Sequence, residues 1–81
     1  MYRFLSDVPI GATAYVTELN IKGPLRSRLE ALGLIKGTSV TKVGMSPMGD
    51  PSAYRVRGAV IALRRRDACS ICVSGVNYDG K

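Results

Sequence analysis

Residues 23–40, GPLRSRLEALGLIKGTSV, hold a punctuated helix, a turn and the start of a strand, and their reading decides the fold. Pro24 sits where a first helical turn has no N–H partner to lose, and Gly33 can close the other end in the left-handed region. Leu25, Leu29 and Leu32 fall at i, i+4 and i+7 and share one face, while Arg26, Ser27 and Glu30 point elsewhere. Three leucines at this spacing are what a short helix needs to pack onto a sheet. Leu34 and Ile35 lead into a Gly37-Thr38 turn, and Val40 opens a β-branched segment.

Outward from this helix the chain reads as short strands. Ala12 to Leu19 alternates, with Ala14 and Val16 on one face and Thr13, Tyr15 and Thr17 on the other, after a Pro9-Ile10-Gly11 turn. Thr38 to Met45 forms a second strand, followed by a loop from Gly44 to Pro51 rich in Gly, Pro, Ser and Asp. Ala53 to Arg57 is a third strand and Gly58 a bulge or tight bend. Ala59 to Arg64 is a fourth, with Ile61 and Leu63 on one face, and Asp67-Ala68 turns into a fifth, Ser70 to Ser74. Five short strands with one apolar face bury it by curling into a small barrel. The expected fold is mainly β: a five-stranded SH3-like barrel with one α-helix inserted between the first two strands. An OB-like barrel is the runner-up. The expected domain covers residues 1–76, with a flexible tail at 77–81.

Composition sets the outer limits. Eighty-one residues make one domain near the lower limit for a core without metal or disulfide help. A hydrophobic fraction of 46% favours a packed aliphatic globule over disorder. Twelve Lys and Arg against six acidic residues give +6, which attracts polyanions, acidic protein faces and anionic headgroups alike. No stretch approaches the roughly 18 apolar residues of a membrane span, and residues 1–11, MYRFLSDVPIG, lack a long apolar run followed by a cleavage site. A cytoplasmic location is expected.

Several pieces resemble the FeoA family of small cytoplasmic proteins of bacterial ferrous iron transport. Arg28-Leu29 with Leu32-Gly33-Leu34 and Gly37-Thr38 look like that family's RL..LGL..GT signature, and Gly49-Asp50-Pro51 looks like its GDP turn. Arg57-Gly58 followed by Ile61-Ala62-Leu63-Arg64 looks like its RG..IALR segment, and Asp67-Ala68 with Ile71 and Val73 looks like its DA..I.V ending. The likeness covers roughly residues 3 to 74 in the family's order, and several ungapped motifs together are far more specific than one. The family domain also ends some iron-dependent repressors, but no winged-helix segment precedes it here, so the resemblance implies a stand-alone protein. Two features depart from the pattern. Lys42 stands two positions after Val40, where an apolar inward residue belongs, which marks a bulge or an exposed outer half of that strand. Cys69 and Cys72 lie outside the family motifs.

Catalytic chemistry has little to build on. The chain contains no His, so a Ser/His or Cys/His pair is impossible, and Asp7, Glu18, Glu30, Asp50, Asp67 and Asp79 show no paired spacing. The loop 44–49 has the two-glycine spacing of a phosphate loop, but Asp50 and Pro51 stand where Lys and Ser/Thr are required. No catalytic, cofactor or metal residue is therefore assigned. Cys69 and Cys72 form a CxxC, yet a closed structural site wants four ligands; on one strand the two thiols face opposite ways, and they read as small strand residues.

Arg55, Arg57, Arg64, Arg65 and Arg66 concentrate around the third and fourth strands, as a solvated basic rim or a nucleic-acid face would, but only Tyr15 and Tyr54 could stack on bases. Leu34, Ile35, Met45 and Met48 sit at element ends, where apolar groups are harder to bury and suit a partner. The expected function is an interaction module rather than an enzyme. By resemblance, its partner is the membrane ferrous iron permease FeoB, at its cytoplasmic GTP-binding portion, which it regulates or stabilises. The expected partner-binding residues are Arg26, Leu34, Met48, Arg57 and Arg64. The competing classes are a basic nucleic-acid-binding module and a transition-metal carrier or sensor; self-association is left open.

Overall fold

In the computed structural model, which describes residues 3–78, five antiparallel strands form one sheet in the order β4-β3-β2-β1-β5. They are β1 (Ala12–Leu19), β2 (Ser39–Met45), β3 (Ser52–Val56), β4 (Ala59–Leu63) and β5 (Ile71–Tyr78). Helix α1 (Pro24–Ala31) joins β1 to β2, and a one-turn helix α2 (Arg65–Ala68) joins β4 to β5. The expected SH3-like arrangement with its inserted helix is what the chain adopts, with β4 and β5 left as sheet edges rather than joined into a closed barrel.

Helix α1 ends as its sequence requires. Leu34 N–H donates to Leu29 O at 2.9 Å and Gly33 N–H to Glu30 O at 3.0 Å, the two bonds of a Schellman cap. Gly33 takes φ 97°, a region only glycine enters without strain. The Thr38 hydroxyl then donates to Gly33 O at 2.9 Å, and Gly37 N–H reaches Val16 O at 2.7 Å, which ties the helix exit to β1. The spacing of Gly33, Gly37 and Thr38 is thus that of one hydrogen-bonded unit. Its apolar stripe divides: Leu29 is buried, Leu25 packs partly against the core, and Leu32 stays 38% exposed.

Residues Arg57 and Gly58 both have positive φ, 50° and 86°, and Val56 pairs with Ala59. This is a two-residue hairpin of the mirror-image turn type, which matches strand twist. The core collects the inward side chains of all five strands with Leu5, Val8, Ile21, Leu29, Leu34 and Ala68. Leu5 belongs to a 3-10 turn, Leu5–Asp7, that sequence reading did not find.

Three expectations change. Strand β5 continues to Tyr78, so Asn77 and Tyr78, expected in the tail, are paired with Thr13 and Ala12; residues 79–81 lie outside the described residues. Cys69 is the exposed C-cap of α2 rather than a strand residue, so opposite faces of one strand do not account for its separation from Cys72. Lys42 is the third: β2 does shift register between Lys42 and Gly44, as a bulge would, but Lys42 is buried at 7% exposure.

Helix α2 is held from a distance. Asp50, in the loop after β2, accepts the Arg65 N–H at 2.9 Å, acting as an N-terminal cap supplied from fifteen residues away. This bond links the GDP turn to the DA ending. Asp50→Ala should lower stability by about 0.5 to 2 kcal/mol in a denaturant melt, the ordinary cost of a lost cap; an unchanged midpoint would show the bond to be dispensable.

Candidate interaction surface

The sheet exposes one edge more than the other. Beside β5, Phe4 bridges Cys72 and Val73 N–H donates to Arg3 O at 2.8 Å, so the N-terminal segment covers part of that edge. Strand β4 has no second strand partner among the described residues. Between β4 and α1 runs an open groove of about 380 Å³, with Leu25, Arg28 and Leu32 on the helix side and Val60, Ile61 and Arg64 on the strand side. Val60 is 58% exposed and Leu32 38%, which gives an apolar floor flanked by two guanidinium-bearing residues. An open strand edge beside such a groove can take an extended segment or an apolar anchor from another protein.

The expected partner residues are distributed differently from the way the sequence grouped them. Arg64 lines the groove. Arg57 lies at the hairpin tip with its aliphatic stem directly over Gly33, so closely that a Cβ at Gly33 would collide with Arg57 Cδ. The basic tip of β3–β4 is thereby seated on the C-terminal end of α1. Met48 is 90% exposed on the loop between β2 and β3 and does not line the groove. Arg26 faces another side: its Nη1 donates to Leu19 O at 2.9 Å and Ile21 O at 3.3 Å, and its Nε to Glu30 at 3.1 Å. Those bonds fasten α1 to the end of β1 and make Arg26 first a structural tie.

Leu34 is a correction. It is 0% exposed and lies in the core, because the Schellman cap brings the residue after Gly33 back onto Leu29. It cannot serve as a surface anchor. Arg28, Leu32 and Val60 line the groove and were not among the expected partner residues. Helical spacing places Arg28 three residues after Leu25, and strand alternation turns Val60 away from the face of Ile61 and Leu63, so both signals were present.

The cysteines are both free, with the Cys69 thiol donating to Arg66 O at 3.1 Å and Asn20 Nδ2 donating to the Cys72 sulfur at 3.7 Å. Among the described residues, no group of three or more His, Cys, Asp or Glu is gathered to hold a metal ion. No helix of the described residues is long and apolar enough to cross a membrane.

Sheet order, inserted helix and open edge define a small SH3-like β domain with an open groove beside its free edge. The chain belongs to the FeoA family: the FeoA domain matches residues 4–75. It is similar to the crystal structure of Stenotrophomonas maltophilia FeoA complexed with zinc, described as a procaryotic SH3 domain protein, with TM-score 0.83 and 26% identity over 95% of this chain and 98% of that one. It is also similar to the solution structure of FeoA from Chlorobium tepidum, with TM-score 0.80 and 30% identity over 95% of this chain and 70% of that one. A Porphyromonas gingivalis protein, a fusion of Fe(2+) transport protein A with the Fe(2+) transporter FeoB, is 33% identical over 67 residues, which is 83% of this chain. The chain spans 8% of that fusion protein's length.

Proposed function

We propose that this chain is a non-catalytic, cytoplasmic accessory protein of ferrous iron transport that binds FeoB, at its cytoplasmic GTP-binding portion, and regulates or stabilises it. The observation that carries the reading is the open β4–α1 groove, an unpaired strand edge beside exposed Leu32 and Val60. The partner is suggested by the Porphyromonas gingivalis fusion, in which an FeoA portion and FeoB share one polypeptide. In this reading Leu32 and Val60 are the apolar anchors. Arg28, Arg57 and Arg64 steer encounter with an acidic face, since exposed charges act mainly on association rate and are screened by salt.

Binding kinetics with the cytoplasmic portion of FeoB at two salt concentrations test it. Leu32→Asp with Val60→Asp should weaken binding at least about tenfold through faster dissociation, because interface energy concentrates at buried apolar anchors. Reversing Arg57 and Arg64 should slow association most at low salt, with the fold kept. Met48→Asp, away from the groove, should leave both rates unchanged. Binding unaffected by the groove changes, together with nucleic-acid binding that falls steeply with salt, would replace this reading by the nucleic-acid one.

A further inference from the structure

A second cavity, of about 130 Å³, lies away from the groove and is lined by Ser6, Lys42, Met45, Gly49, Ser52, Tyr54 and Arg65. Its construction follows from strand register. Lys42 and Tyr54 are direct partners across β2 and β3, so their Cβ atoms lie about 4.5 to 5.5 Å apart on one face. Ser52, two residues before Tyr54, shares that face. Helix α2 adds Arg65 and the N-terminal 3-10 turn adds Ser6.

Lys42 is the anomaly. The residue is more than nine-tenths buried, its ammonium still reaches solvent, and no hydrogen-bond or ion-pair partner meets that ammonium among the described residues. Burial, and after it the Arg65 guanidinium, lower its pKa. A lysine stem can run along apolar surface with its head in water, but here a second cation, Arg65, stands near that head. Burial, the largest effect, pushes the Tyr54 pKa up against the lowering by Ser52 and then Arg65, with Asp50 adding least, so Tyr54 is a neutral phenol. Hydroxyl donors and two cations thus face one small space.

The charge balance names the ligand. Asp50 does not line the cavity but stands next to it, its carboxylate accepting the Arg65 N–H, so it offsets one of the two cations and leaves a single positive charge. We propose that this cavity is a receptor for one carboxylate group, supplied by an Asp or Glu side chain of the protein partner, with Lys42 and Arg65 pairing with it and Ser6, Ser52 and Tyr54 offering hydroxyls around it. The source of the carboxylate rests on the partner reading above; the site itself is testable on the chain alone.

The probe is acetate, titrated into the 81-residue chain at constant ionic strength against chloride, with amide chemical shifts as the readout. Saturable shifts should be confined to the residues around Ser6, Lys42, Ser52, Tyr54 and Arg65. Lys42→Met, which keeps the stem and removes the charge, should weaken apparent affinity at least about tenfold, as loss of a charge-assisted bond does. Arg65→Gln keeps the backbone N–H that Asp50 caps and should weaken it as well, which leaves the proposal testable if Lys42→Met does not fold. Shifts absent at saturating acetate, or unchanged in both variants, overturn the proposal. Binding of inorganic phosphate with acetate silent overturns it too, since that is the behaviour of a dianion site. Because FeoB takes no part, failure to capture FeoB and failure of this cavity are separate results.

Discussion

Leu34→Asp is expected to unfold the domain. The residue is fully buried, and its burial is built into the helix exit: the Leu34 N–H closes onto Leu29 O and Leu34 takes the position that packs back over the last turn. Losing a buried leucine side chain removes about 1.5 to 3 kcal/mol of apolar burial. An unpaired carboxylate in its place adds several kcal/mol of desolvation, or forces the group to stay protonated. A chain of this length has a total stability of about 4 to 12 kcal/mol, so the two effects together consume most or all of it. The check is amide dispersion and far-UV circular dichroism of the variant beside Leu34→Met, which conserves volume and should cost under about 1.5 kcal/mol. A folded Leu34→Asp with weakened FeoB binding would return Leu34 to the surface and make the helix exit a docking site.

The same residue shows what was legible and what was not. Pro24, Gly33 and the leucine spacing marked α1 because caps and helical period act within a few residues, and the cap even implies the inward turn of Leu34. Sequence reading used the cap to end the helix but judged Leu34 by its place at an element end, and so assigned it outward. Gly58 marked a bulge or tight bend, but Arg57 read as the last residue of the third strand; that it shares the hairpin turn follows from its positive φ, which an arginine does not announce. The short helix α2 was read as a turn because its cap, Asp50, comes from another loop, and no window around Arg65 contains it. Lys42 stood out as misplaced, but its direction came from the β2 bulge and its surroundings from Arg65 and Ser6, three segments of the chain brought together only by folding. The groove has the same origin. Arg64 was named in advance on charge, whereas Val60, outward by strand alternation, was passed over because the groove beside it exists only once the sheet order leaves β4 at an edge.

Leu29 and Leu32, three residues apart on one helix, should answer mutation in opposite ways. Leu29 is buried in the core cluster, its carbonyl receives the Leu34 N–H, and α1 has no other fully buried side chain to hold it down. Leu29→Ala should therefore cost about 2 to 5 kcal/mol, the range for a buried leucine that leaves a cavity. Against a total of about 4 to 12 kcal/mol, that moves the urea midpoint by a large fraction of its value. Leu32 is 38% exposed and lies in the groove, so Leu32→Ala should shift stability by no more than about 0.5 kcal/mol while weakening capture of FeoB. The paired measurement is a urea melt and a binding assay on both variants. Leu29→Ala within about 0.5 kcal/mol of wild type would mean the helix is not seated on the core. A large stability loss in Leu32→Ala would move the groove's helix side from interface to core, leaving Val60 and the β4 edge as the surface on which a partner could dock.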